Sequence, residues 1–201
     1  MTSITSRYRS RSLRTTMSKG VVVVPERGTV RMLAGLAGLP DTTGGVLTSG
    51  GSMANLLALA TARTRFLTRR GSGDGPAYDR DHARLALYYS AQAHMSVTKA
   101  AACIGLPAHR LRPVPTDAYD RLDPAALRTT VTADLDAGLL PFCTITTLGT
   151  TATGAVDPLG PVTDLCRNTG MWHHADGARA ASAPPSPPWP PSTGASEASP
   201  P

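Results

Sequence analysis

The alternation of short β-rich runs with longer stretches of helical period, from about residue 21 to residue 175, most constrains the fold of this chain. It predicts strands at residues 83–89, 110–114, 141–147 and 171–175, and helices at residues 30–39, 52–67, 93–104, from 124 onward, and 159–169. Such alternation is typical of a mostly parallel sheet covered by helices. The predicted fold class is therefore α/β, with chemistry at the carboxyl ends of the strands.

Two local signals refine this pattern. Residues 69–81 contain three glycines and a proline, which predicts a surface loop. Asp123 followed by Pro124 predicts a helix whose N-cap is the aspartate and whose first residue is the proline.

The length of 201 residues favours one domain, which we place at residues 21–180. Residues 1–20 are basic and rich in Ser and Thr, and are predicted to be a disordered or mis-started leader, with a transit peptide as the alternative. Residues 181–201 contain eight prolines and are predicted to be a disordered tail. Because composition changes just after a predicted strand, we interpret the chain as truncated or frame-shifted near Arg179.

Charge and cysteine content exclude several classes of protein. The net charge is +6, but residues 1–20 hold five basic and no acidic side chains, so the remainder is nearly neutral. A nucleic-acid partner is therefore not expected, and without a run of about 18 apolar residues a membrane span is not expected either. Three singly scattered cysteines argue against disulfides or a zinc knuckle and favour the reducing cytoplasm.

A glycine pair precedes the helix predicted at residues 52–67. Gly50 and Gly51 allow an anion to approach the backbone, and the N–H groups at the helix start, together with the helix dipole, favour negative charge there. Ser52 can add a hydroxyl contact and is also expected to N-cap the helix. This turn predicts a phosphate site.

Three further polar residues follow predicted strands. His94 follows the strand at residues 83–89, Thr151 follows the strand at residues 141–147, and Asp176 follows the last strand. Each alone has an ordinary structural explanation as a cap or a solvated side chain. Together with the strand expected to precede the glycine turn, they are expected to bring four strand ends to one edge of the sheet.

These four segments, colinear over residues 30–178, closely resemble the group II pyridoxal-phosphate (PLP) dependent decarboxylases, which include aromatic amino-acid, glutamate and diaminobutyrate decarboxylases. The resemblance implies a partial fold type I large domain, PLP as cofactor, an amino-acid substrate, carboxy-lyase activity and a homodimer. It implies that the phosphate is held by Gly50, Gly51 and Ser52, that His94 stacks on the pyridine ring, that Thr151 lies near the ring, and that Asp176 pairs with the ring nitrogen.

The chain departs from the family in its lysines. The family uses a lysine, downstream of the aspartate, that binds the cofactor covalently, whereas the lysines here are Lys19 and Lys99. Lys99 follows His94 by five residues, about 140° around a helix, so it is expected to point away into solvent. The isolated chain is therefore expected to be inactive. Met53, where many relatives carry an acidic residue, is a minor departure.

Two other functions stay open. A serine hydrolase would use Ser52 as nucleophile, with Asp157 or Asp164 and then His173 or His174. A non-catalytic remnant would fold poorly or would only bind another chain. A metal site formed by His173, His174 and Cys166 is disfavoured, because neighbouring residues of a strand point to opposite faces.

Overall fold

The computed structural model describes residues 2–4 and 26–179. The helices are α1 (Glu26–Leu36), α2 (Gly51–Arg69), α3 (Gly75–His82), α4 (Ser96–Cys103), α5 (Pro124–Asp136) and α6 (Leu159–Thr169). The strands are β1 (Thr2–Ile4), β2 (Gly45–Leu47), β3 (Leu85–Ser90), β4 (Leu111–Val114), β5 (Leu140–Thr147) and β6 (Trp172–Asp176), with a short 3-10 helix (Ala108–Arg110) before β4.

Four strands form a parallel sheet in the order β4-β3-β5-β6. Thr147 at the end of β5 lies beside Asp176 at the end of β6. Parallel strands need crossover connections, and helices supply them here. The structure confirms the α/β class and brings the carboxyl ends of β3, β5 and β6 to one edge.

The remaining two strands lie outside this sheet. β2 pairs with β1 in a separate antiparallel ribbon. The expectation that the glycine turn follows a strand of the main sheet was therefore wrong, and three strand ends converge rather than four. β1 falls within the segment interpreted as a leader; the other residues of that segment and the tail at residues 181–201 lie outside the described residues.

Two apolar clusters cover the two faces of the sheet. On one face, Leu59 of α2 and Val97 of α4 pack with Leu87 of β3, and all three are fully buried. On the other face, residues of α5 and α6 pack with Tyr88 of β3. Every residue of β5 is buried, as expected for a central strand with helices on both sides.

Two helix boundaries match the sequence signals. Asp123 caps α5, because its Oδ1 accepts hydrogen bonds from the N–H groups of Ala125 (2.8 Å) and Ala126 (3.3 Å). The prediction for α6 matches its observed bounds. Within the described residues, no helix is long and apolar enough to cross a bilayer.

The predicted loop at residues 69–81 was wrong in its second half, where α3 begins at Gly75. Gly75 has φ +63°, a conformation that favours glycine, and proline at the helix start needs no N–H partner. Asp81 in this helix is 3% exposed and accepts a 2.6 Å hydrogen bond from Ser72. Glycine and proline therefore mark the start of a helix here rather than a continuous loop.

Candidate functional site

The start of α2 presents uncapped backbone donors. Gly50 is the N-cap residue, and no side chain caps the helix. The Thr48 hydroxyl donates to the Gly50 carbonyl (3.1 Å) and so closes the turn. A Cβ added at Gly50 would meet no atom within 4 Å, so the space beside it is open. The first N–H groups of a helix lack intrahelical acceptors, and an anion can take them.

Ser52 does not N-cap this helix, contrary to the sequence prediction. The helix begins one residue earlier, at Gly51, so Ser52 lies inside the first turn. Its side chain is exposed. Within residues 26–179 its hydroxyl makes no hydrogen bond, and it remains a candidate contact for an anion at the helix start.

One turn into α2, Asn55 connects three other elements. The residue is 3% exposed. Its Nδ2 donates to Oδ2 of Asp176 (2.9 Å) and to Oγ of Ser96 (2.9 Å). Its Oδ1 accepts from Nε2 of His174 (2.8 Å). One side chain therefore joins the start of α2 to the end of β6 and to the first residue of α4.

His94 lies just before α4, is exposed, and contacts the same network. The Ser96 backbone N–H donates to its Nδ1 (3.2 Å), so Nδ1 carries no proton. The Ser96 hydroxyl, 2.9 Å away, therefore also donates to Nδ1. We assign the ring proton to Nε2.

Asp176 ends β6 and is half-buried. Its Oδ2 accepts from Asn55, and its Oδ1 accepts from the backbone N–H of Ala178 (3.1 Å). Its carbonyl accepts from the N–H of Leu148, which joins it to the loop after β5 (2.9 Å). Each carboxylate oxygen keeps a further lone pair, so the group can also accept from a cationic N–H.

The two adjacent histidines of β6 point to opposite faces, as expected. The ring nitrogens of His173 lie 2.9 Å from the hydroxyls of Thr146 and Thr163. Burial, with a smaller contribution from His174, lowers the pKa of His173 to about 4. Burial also lowers the pKa of His174, against the opposing effect of the Asp176 charge. Both rings are therefore neutral at pH 7, and they contact different elements, Thr163 of α6 for His173 and Asn55 of α2 for His174.

Thr151 lies in the loop after β5, and its side chain is exposed. Its carbonyl accepts from Arg179 Nη1 (2.8 Å). The neighbouring Thr150 is buried, and its hydroxyl lies 2.8 Å from that of Thr153. The loop is therefore held by its own hydroxyls and by Arg179, while the Thr151 side chain stays exposed.

The serine-hydrolase alternative is contradicted. The two histidines bond to threonines and to Asn55, and neither bonds to Ser52. Asp157 is 1% exposed and accepts from the N–H groups of Leu122 (2.8 Å) and Thr147 (2.7 Å). Burial raises its pKa, and these two donors oppose that rise. This carboxylate therefore anchors the end of β5 and the segment before α5. Asp164, the other candidate, is exposed and pairs with Arg167, so neither aspartate bonds to a histidine.

Lys99 is exposed in α4, as expected. His94 lies before the start of this helix at Ser96, so the predicted spacing of the two residues on one helix was wrong. Within the described residues Lys99 forms no ion pair. The exposed position of Lys99 does not support a role for its amine beside Asp176.

The sequence did not predict that Asn55, Ser96 and His174 belong to the hydrogen-bond network of the site. A signal for Asn55 was present, because it is the polar residue on the buried stripe of α2, which also contains Ala58 and Leu59. A lone amide on an apolar helix face needs buried partners. Nothing local predicts that the partners lie in α4 and β6.

Comparison with known proteins gives a consistent result. The family model described as the pyridoxal-dependent decarboxylase conserved domain matches residues 14–190. The aromatic-L-amino-acid decarboxylase of Bacillus atrophaeus is 37% identical over 158 residues, which are 79% of this chain and 31% of that protein. Tryptophan decarboxylase 1 of Oryza sativa subsp. japonica is 42% identical over 144 residues, which are 71% of this chain and 27% of that protein.

Solved structures agree with the sequence comparison. The crystal structure of Oryza sativa TDC with PLP superposes with a TM-score of 0.70 and 38% identity, over 81% of this chain and 36% of that chain. The chain thus spans about a third of the length of the proteins that it matches.

Proposed function

Because this chain belongs to the pyridoxal-dependent decarboxylase family, we propose that it forms the PLP-binding part of an amino-acid decarboxylase. The observation that carries the proposal is the hydrogen bond between Asn55 and Asp176. It holds a helix start suited to a phosphate beside a carboxylate suited to a cationic ring nitrogen. The proposed activity of the whole protein is that of a carboxy-lyase.

The residues present fit the chemistry of this cofactor. A phosphate needs N–H donors and open space, and the start of α2 offers both beside Gly50. A protonated ring nitrogen needs an acceptor with a spare lone pair, and Asp176 has one on each oxygen. A flat aromatic ring needs a face to contact, and His94 is an exposed imidazole of fixed tautomer.

We assign roles on that basis. Gly50, Gly51 and Ser52 hold the phosphate, and Asp176 accepts from the ring nitrogen. His94 stacks on the ring, and Thr151 lies beside it.

When bound, PLP supplies an electron sink for the charge that the loss of carbon dioxide leaves on the substrate. The part played by Asp176 is to keep a proton on the ring nitrogen, because a nearby negative charge favours the cationic form. Asn55 and the Ala178 N–H hold that carboxylate in place.

The lysines of this sequence lead to a second part of the proposal. Lys99 is exposed, and Lys19 lies outside the described residues. We infer that the 201-residue chain tested alone binds the cofactor without a covalent bond and does not decarboxylate. Carbon dioxide release from any amino acid by the purified chain would contradict this.

A homodimer, an amino-acid substrate and a cytoplasmic location complete the proposal. Apolar side chains near the site support the dimer: Met53 is 41% exposed, Leu57 43% and Met95 60%. Met53 and Leu57 lie one helical turn apart on α2, and exposed apolar side chains on one face favour association. Light scattering on the purified chain would detect it, and a monomer at all concentrations would contradict it.

Pyridoxine 5′-phosphate tests the site, because it has the ring and phosphate of the cofactor but no aldehyde to react with surface lysines. We expect the 201-residue chain to bind it in a calorimetric titration. Ser52→Ala should weaken binding several-fold through the phosphate contact. Asp176→Asn should remove the protonation of the bound ring, read from its absorption spectrum, with less effect on phosphate contacts.

Thr64→Ala, an exposed change elsewhere on α2, is the matched control and should bind like the unmodified chain. Absence of binding by the folded unmodified chain would refute the proposed function. Binding that is insensitive to both Ser52→Ala and Asp176→Asn would refute the proposed location.

A further inference from the structure

We propose that Asn55 is a positioning residue that fixes Asp176 and His94 relative to each other through a single side-chain amide. The roles of Asp176 and His94 rest on the proposed function, whereas the hydrogen bonds that join them through Asn55 do not. The amide contacts Asp176 directly and reaches His94 through the Ser96 hydroxyl.

The first step is the orientation of the amide. A carboxylate oxygen only accepts, so the amide group that lies 2.9 Å from Asp176 Oδ2 is the NH₂ group. The amide oxygen Oδ1 therefore lies on the other side, 2.8 Å from His174 Nε2. Because an amide oxygen only accepts, His174 donates from Nε2.

The second step is the direction of the hydrogen bonds that leave the amide. Nδ2 carries two protons; one goes to Asp176 and one to Ser96. The Ser96 oxygen therefore accepts from Asn55, and its own proton is free to go to His94 Nδ1. A chain of donors thus runs from His174 through Asn55 and Ser96 to His94.

The third step is the cost of any other residue here. A leucine of similar size would leave the His174 N–H and one Asp176 oxygen without their buried partner. An aspartate would replace the donor with a second negative oxygen about 3 Å from the Asp176 carboxylate, and like charges at that distance repel strongly. An amide satisfies all three neighbours, because it offers two donors and an acceptor at one position.

The first test needs no cofactor. The chain has two asparagines, Asn55 and Asn168, and the second is exposed on α6. In the ¹⁵N-labelled, full 201-residue chain, the side-chain amide protons of Asn55 should exchange at least about tenfold more slowly than those of Asn168. Ser96→Ala should shift one Asn55 proton resonance, and Asp176→Asn should shift the other.

The second test uses pyridoxine 5′-phosphate and follows the pH at which the bound ring loses its proton. Asn55→Leu should lower that midpoint by about one pH unit, a tenfold change in the protonation equilibrium, because Asp176 is no longer held. The affinity for the phosphate should change much less. Asn168→Leu is the control and should leave both quantities unchanged.

The outcomes separate the two proposals. Equal exchange at both asparagines, or an Asn55 amide insensitive to Ser96→Ala and Asp176→Asn, overturns the positioning role whatever the ligand does. If the amide behaves as expected but the ligand does not bind, the cofactor proposal fails and the positioning of Asp176 stands. If Asp176→Asn lowers the midpoint and a folded Asn55→Leu does not, Asn55 has no role in holding the carboxylate toward the ring.

Discussion

Acidification should destabilise the chain through His173, and His173→Gln should remove that effect. The ring lies between Thr146 and Thr163, and burial lowers its pKa from 6.5 to about 4. The unfolded chain therefore binds a proton more readily than the folded chain. The resulting stability is fully present above pH 6.5 and is lost as pH falls from about 6.5 to about 4.

The size of the effect follows from that difference. Each pH unit between the folded and unfolded pKa corresponds to about 1.4 kcal/mol, so the full window is worth about 3 kcal/mol. This is a large part of the 5 to 15 kcal/mol that typically stabilises a domain. His174, whose pKa is also lowered by burial, adds to the loss in the same direction.

Urea unfolding followed by far-ultraviolet circular dichroism, at pH 7.5 and at pH 4.5, measures this loss. The His173→Gln chain should lose about 2 kcal/mol less than the unmodified chain between these two pH values. His109→Gln, at an exposed position, is the control and should lose as much as the unmodified chain. Equal losses in the His173→Gln and unmodified chains would show that His173 does not titrate as the structure indicates.

Two further predictions concern packing and thiols. Leu59→Ala, at a fully buried position, should lower the free energy of unfolding by about 2 to 5 kcal/mol. Leu57→Ala, at a 43% exposed position, is the control and should change it by less than about 1 kcal/mol. Equal effects of the two changes in a urea titration would contradict the core assignment. Iodoacetamide should label exposed Cys103 in the native chain and should react with buried Cys143 and Cys166 only in denaturant. Burial raises the thiol pKa of both buried cysteines, so less of the reactive thiolate is present. Labelling of either buried thiol in the native chain, detected by mass spectrometry, would contradict this.

Periodicity and capping chemistry predicted much of the fold. The Asp123 cap and the bounds of α6 depend on residues adjacent in sequence, and both were right. The start of α3 at Gly75 was missed, because a glycine and a proline signal both a loop and the first turn of a helix. The separate pairing of β2 with β1 was missed because local sequence does not show which distant strand a given strand will pair with.

The candidate site was also predicted only in part. The positions of His94 and Asp176 at strand ends followed from the order of elements, and the structure joins them through Asn55 and Ser96. Ser52 was wrongly predicted to cap α2, because the glycine before the helix takes that position. The partners of the amide that links the two candidate residues could not be predicted, since they are 41 and 121 positions away.

That separation has a consequence for synthesis on the ribosome. Asn55 is translated early, but its acceptor at the end of β6 follows 121 residues later. Until Asp176 has left the exit tunnel, α2 can form while one donor of the amide stays in water. The carboxylate is therefore paired with the helix start only once β6 has been added to the sheet. A nascent chain stalled before β6 would hold the other three strands of the parallel sheet without a finished site.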